Sequence, residues 1–165
     1  MRSCLVPCKP FTRSSGFSLV ELMVTVTIVA VLAAIALPSY ASYIARARRA
    51  DAIGQLVQAA QFMQRFYAAN DSFSRDRAGN NVINQIPRSL KQSPSDSVKI
   101  YDLAIPMGPA PLTNPVGFTL HMMPVADGVM AQDACGTFTL TSTGLRGVLV
   151  NGVPDTGTLR DTCWK

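Results

Sequence analysis

A single glutamate stands in an uncharged stretch of this 165-residue chain. Glu21 is the only Glu, and apart from it no charge appears between Arg13 and Arg46. A carboxylate in apolar surroundings needs a cation or a hydrogen-bond donor. No Lys or Arg lies within a helical turn or two of Glu21, so its partner must come from elsewhere. The cysteines are the second reactive set. Cys4 and Cys8 lie near the N-terminus, and Cys135 and Cys163 lie near the C-terminus. A Cys135–Cys163 disulfide would contribute roughly 3–4 kcal/mol in the chain-entropy view, two separate buried thiols being the alternative. Metal chemistry is poorly supported, with one histidine, His121, and no close Cys pair beyond the first residues. The other acids are all Asp and are scattered, and no Gly-rich phosphate loop follows a predicted strand. The residues therefore point away from an enzyme and indicate no cofactor.

The element that must position Glu21 is the apolar run Phe17–Leu37. As a helix it would span about 31 Å, close to the roughly 30 Å of a bilayer's hydrocarbon core. Residues 1–16 read as a short basic leader carrying Arg2, Lys9 and Arg13. Removing it leaves 12 basic against 10 acidic residues, a balance that does not by itself call for nucleic acid. Positive charge before the run predicts a cytoplasmic N-terminus and an external remainder, although Arg46, Arg48 and Arg49 weaken the asymmetry. Two readings need nothing more: a plain single-pass anchor, or a secretory signal cut after Ala34-Ile35-Ala36.

A third reading rests on motifs. Gly16-Phe17-Ser18-Leu19-Val20-Glu21 resembles the prepilin cleavage and methylation signal of type IV pilins. The resemblance implies that a prepilin peptidase cuts between Gly16 and Phe17 and that Phe17 becomes an N-methylated terminus. Glu21 is then the fifth mature residue, which in the family pairs with a neighbouring subunit's terminal amine. Pro38 matches the family's helix-bending proline, so a kink or local melting is expected there. Ser15 departs from the pattern, since many members carry Lys or Arg before the glycine.

Beyond the run, Tyr40 to about Ala69 has helix period. Ile53, Leu56, Ala60, Met63 and Tyr67 share one face, and Gly54 weakens the helix slightly while leaving room for close packing. The helix is expected to end at Asn70-Asp71-Ser72. Residues 71–97 read as loop with one short helix at Arg88–Gln92. Four strands follow: Val98–Ile105, Val116–Val125, Thr137–Thr141 and Leu145–Val150. They flank a Pro/Gly-rich connection from Pro106 to Pro115 and turns at Ser142-Thr143-Gly144 and Asn151-Gly152. Phe118, Leu120 and Met122 should face inward with Val116, while His121 sits on the other strand face. The expected fold is α+β: a long N-terminal helix, apolar then amphipathic, packed on an antiparallel sheet of about four strands. The organisation is a leader (1–16), a membrane and filament-core half-helix (17–44) and a globular head (45–165).

The head extends the resemblance. Arg49-Ala50-Asp51-Ala52, Gln58–Tyr67, Asp133-Ala134-Cys135-Gly136-Thr137 and Cys163-Trp164 look like a minor-pilin branch that includes receptors for DNA taken up in transformation. This implies a structural subunit stored in the inner membrane with its head in the periplasm, then assembled into an extracellular pilus. Implied partners are other pilin subunits, the prepilin peptidase and the inner-membrane assembly platform. A type II secretion pseudopilin and a DNA-binding pilin are the alternatives. For the latter, Arg75, Arg77, Lys91 and Lys99 are the candidate phosphate contacts.

Overall fold

The computed structural model describes residues 16–105, 113–114, 117–155 and 157–165. The leader with Cys4 and Cys8, and most of the Pro106–Pro115 connection, lie outside these. Helix α1 runs Leu19–Asn70, and the chain divides into two compact units at Ala41/Ser42.

In the N-terminal unit α1 is built from Leu, Val, Ile, Met and Ala, and these side chains are exposed all round. Leu22 N–H reaches the Ser18 carbonyl at 3.1 Å, closing the first turn. Pro38 lies inside α1, and the backbone stays helical through it. The expected local melting is therefore absent, although the missing N–H leaves one carbonyl of the preceding turn without its helical donor.

In the C-terminal unit the rest of α1 packs on the sheet. Its buried side chains are Ala52, Leu56, Ala59, Met63 and Phe66. The apolar stripe thus lies to one side of the expected one. Ile53 and Ala60 are only partly buried, and Tyr67, 37% exposed, stacks on Phe73 with centroids 4.4 Å apart. Gly54 faces open space, with nothing within 4 Å of a built Cβ, so it serves no close packing. The helix ends as expected: Asp71 takes a φ of 55° and its N–H bonds the Tyr67 carbonyl at 2.8 Å.

Residues 71–97 hold more structure than expected. Helix α2 spans Val82–Gln85, capped by the Asn81 side chain, and a 3-10 turn covers Arg88–Leu90. Strand β1 is Gln92–Ser93. There follow β2 (Tyr101–Ala104), β3 (Thr113–Asn114), β4 (Gly117–Pro124), β5 (Thr137–Thr141), β6 (Arg146–Val150), β7 (Val153–Asp155) and α3 (Thr158–Cys163). The sheet order is β1-β2-β4-β5-β6-β7, with β3 added on β4, and every pairing is antiparallel. Six strands in line therefore replace the expected four. The additions, β1 and β7, are two- and three-residue strands that need a longer neighbour to pair with, which is why local pattern does not reveal them. The β6–β7 turn is Asn151-Gly152, with φ of 52° and 80°, the geometry the Asn-Gly signal demands.

Inward residues alternate along the long strands. Phe118, Leu120 and Met122 of β4, Phe138 and Leu140 of β5 and Val148 of β6 are buried against the α1 stripe. Each large apolar side chain so placed contributes roughly 1.5–3 kcal/mol. Val98, expected in the first strand, is 87% exposed and precedes β2.

Candidate assembly and nucleic-acid surfaces

The N-terminal unit presents one chemical surface. Gly16, Phe17 and Ser18 precede the helix in non-helical backbone, and Phe17 is 75% exposed. Nothing among the described residues lies within 4 Å of a Cβ built on Gly16. Glu21 sits in the first turn of α1, where the helix dipole favours a negative charge. It has no ion pair among the described residues. Two of the run's hydroxyls are satisfied internally: Thr25 donates to the Leu22 carbonyl at 2.9 Å and Thr27 to that of Met23 at 2.8 Å. The surface is therefore apolar with one unmatched carboxylate.

In the C-terminal unit the Cys135–Cys163 disulfide is formed, with Cα atoms 5.8 Å apart. It ties the segment before β5 to α3. Beside it is a contact that sequence reading missed. Arg49 of α1 grips Asp133, its Nε lying 3.1 and 3.0 Å from the two carboxylate oxygens. The same carboxylate accepts the Cys135 N–H at 3.2 Å. The Asp133 side chain is 6% exposed, that of Arg49 23%. The hydrogen bond to Asp133 raises the Arg49 pKa, against the opposing effect of burial. Both residues stood in quoted motifs, but no spacing rule joins positions 84 apart. A second tie of this kind runs from the Ser93 hydroxyl of β1 to the Asp51 carboxylate of α1. The Tyr101 hydroxyl is buried next to these charges without a hydrogen-bond partner among the described residues, and burial pushes its pKa up.

Trp164 closes the same end of the sheet. Its indole Nε1 donates to the Gly147 carbonyl at 2.9 Å, its edge meets Phe138 at 5.9 Å, and the Arg146 guanidinium lies 5.3 Å over its ring. His121 sits half-buried on β4, opposite Thr139 of β5, and burial lowers its pKa. It therefore carries little charge at neutral pH.

The four candidate phosphate-contacting bases separate into three segments, with Lys91 just before β1 and Lys99 between β1 and β2. Arg75 and Arg77 belong to the 72–81 turn. That turn is organised by Asp76, whose carboxylate accepts from Ala78 N–H (2.9 Å), Asn80 N–H (2.7 Å), the Asn80 side chain (2.9 Å) and Gln85 (2.9 Å). These bonds, that of Asn80 foremost, lower the Asp76 pKa. Arg77 bonds Asp71 at 3.1 Å and Lys99 bonds Asp102 at 2.9 Å, so two of the four charges are already matched. Arg75 is exposed and has no ion pair among the described residues. Lys91 is half-buried beside Ile83, Ile86 and Leu103 and also has none. Among the described residues, no His/Cys/Asp/Glu group is arranged to hold a metal.

Comparison with protein families gives two matches. The model of the prokaryotic N-terminal methylation motif matches residues 11–37. The model described as type IV minor pilin ComP, DNA uptake sequence receptor, matches residues 38–139, more than half of the chain. Comparison with the curated proteins and with the solved structures returns no match.

Proposed function

Because the chain belongs to the ComP family of type IV minor pilins, we propose that it is processed at Gly16/Phe17 and enters the pilus through α1, with Glu21 as its docking acid. The observation that carries this reading is the apolar half of α1, exposed on every side and bearing one unmatched carboxylate. Apolar side chains in a bilayer or in a bundle of identical helices are removed from water, at roughly 25 cal/mol per Å². A carboxylate in either setting favours a cation, and the terminal amine that cleavage frees on Phe17 of an adjacent subunit is of the right charge. Such a pair sets register more than affinity, because a buried ion pair is weak in net stabilisation. The prepilin peptidase and the inner-membrane platform are the partners this route requires. In this reading the leader is cytoplasmic and the head periplasmic before assembly. The family match favours the pilus over a type II secretion pseudopilin. Glu21→Val should remain in the membrane fraction yet be depleted from sheared pili by an order of magnitude. Undiminished recovery of the variant in pili would remove Glu21 from this role.

A second reading, DNA reception, is favoured by the description of the matched family. Of the four candidate bases, Arg75 and Lys91 have charge to offer, whereas Arg77 and Lys99 already face carboxylates. Arg75→Ala and Lys91→Ala should each reduce the salt dependence of duplex binding by about one phosphate's worth. Arg77→Ala and Lys99→Ala should change it less. Equal effects from all four, or no salt-dependent binding by the head, would reject this surface.

A further inference from the structure

We propose that the heads of two copies of this chain join side by side, the 94–99 loop of one setting Asp96 and Val98 against a basic pocket of the next. The loop lies between β1 and β2, at one edge of the sheet. It is held in shape from within. The Gln92 side-chain amide donates to the Pro94 and Ser97 carbonyls at 3.0 and 2.9 Å, and the Ile100 N–H to the Ser93 carbonyl at 2.8 Å. Yet it presents Val98, 87% exposed, and Asp96, which is exposed and has no ion pair among the described residues. Lys99 and Asp102, the nearest charges in sequence, match each other. A preformed loop with an apolar side chain and an unmatched carboxylate loses little freedom on docking and is complementary to a cationic hollow.

Such a hollow lies toward the other edge of the same head. A pocket of about 380 Å³ forms where Ser42, Ala45, Arg46 and Arg49 of α1 meet Thr162 and Lys165 beside α3. No carboxylate side chain lines it. Arg49 is taken by Asp133, and Asp161 of α3 by Arg160, whereas Arg46 and Lys165 have no ion pair among the described residues. A terminal carboxylate on Lys165 would offset one charge and still leave Arg46 unmatched. The loop and the pocket flank α1 on opposite sides. Ile44, Ala47, Arg48 and Asp51 share a groove with Ser93 and Pro94 at the root of the loop. At 3.6 residues per turn, those four and the pocket's four α1 residues are centred about 160° apart around the helix. One neighbour cannot cover both flanks at once. Complementary patches so placed join head to tail and repeat, which generates a ring or an open helix of subunits.

The contact rests on the reading of the chain as a filament subunit, and its test separates the two. Self-association of the full chain in detergent micelles is followed by sedimentation at low salt, where exposed charges are least screened. The unaltered chain should associate as its concentration rises. Asp96→Arg alone, or Arg46→Asp with Lys165→Asp, should weaken association by about tenfold or more, because like charges then meet. Mixing the two variants should restore it, since the altered loop of one suits the altered pocket of the other. Asp127→Arg reverses another exposed acid of the same head and should change association by less than about twofold. Absence of association, no recovery in the mixture, or equal weakening by Asp127→Arg overturns the contact. Capture of a short DNA duplex through Arg46 and Lys165 in place of a second copy also overturns it and gives the pocket to nucleic acid. Recovery of the unaltered chain in sheared pili is measured alongside. A chain that reaches pili but does not associate through this pair fails only here, whereas one that associates yet never reaches pili fails as a pilus subunit.

Discussion

Asp133 joins three parts of the head through one carboxylate: Arg49 on α1, the Cys135 backbone and, through that cysteine, α3. Removing one partner of a buried pair costs about 3–5 kcal/mol because the other charge is left uncompensated. Arg49 is about a quarter exposed, and water can partly re-solvate it, so Asp133→Ala should cost about 2–3 kcal/mol. Urea unfolding of a 42–165 fragment measures this. The double change Arg49→Met with Asp133→Leu should recover more than half of the loss, because it leaves no buried charge. A single-variant cost under about 0.5 kcal/mol would mean that the pair is only a surface contact. At this scale the sequence identified the disulfide cysteines but not the acid beside them. A cysteine pair is chemically distinctive, whereas nothing distinguishes Asp133 from the other Asp residues until the fold brings Arg49 to it.

Two glycines show how an element's setting decides a substitution. Gly54 is mid-helix with open space around it, so Gly54→Ala should stabilise the head by about 0.5–1 kcal/mol through helix propensity. Gly136 sits at φ +55°, and a Cβ there would lie 2.3 Å from the Leu149 carbonyl oxygen. Gly136→Ala should therefore cost well over 1 kcal/mol and disturb the β5–β6 register. Thermal unfolding of the two variants should shift in opposite directions. A common sign would show that helix α1 or the β5 entry is arranged differently. Helix period located α1 and strand alternation the inward face of β4, because those elements are long enough for periodicity to emerge. The centre of the α1 stripe was missed by about one residue, since both candidate faces carry apolar side chains and only the sheet decides which is covered.

The two compact units differ in what holds them. The N-terminal one keeps its apolar surface exposed and acquires its environment from a membrane or from other subunits. The C-terminal one has its own core and a covalent staple. The Cys135–Cys163 bridge spans 28 residues, which corresponds to roughly 3–4 kcal/mol of unfolded-state restriction. Reduction should therefore lower head stability by that order, and α3 should lose amide protection before the β4–β5 centre does. Hydrogen exchange with and without reductant reads this. Simultaneous loss everywhere would make α3 part of the core folding unit. By itself, the sequence determined the apolar helix with its lone acid, the α+β class, the disulfide and the family motifs. All of these are signals of composition, period or short spacing that survive without a partner. Only the tertiary structure decided the sheet's six-strand order, the Arg49–Asp133 and Asp51–Ser93 ties, and which loop cations keep an unmatched charge. Those depend on residues tens of positions apart, and their energies exist only once the chain has folded.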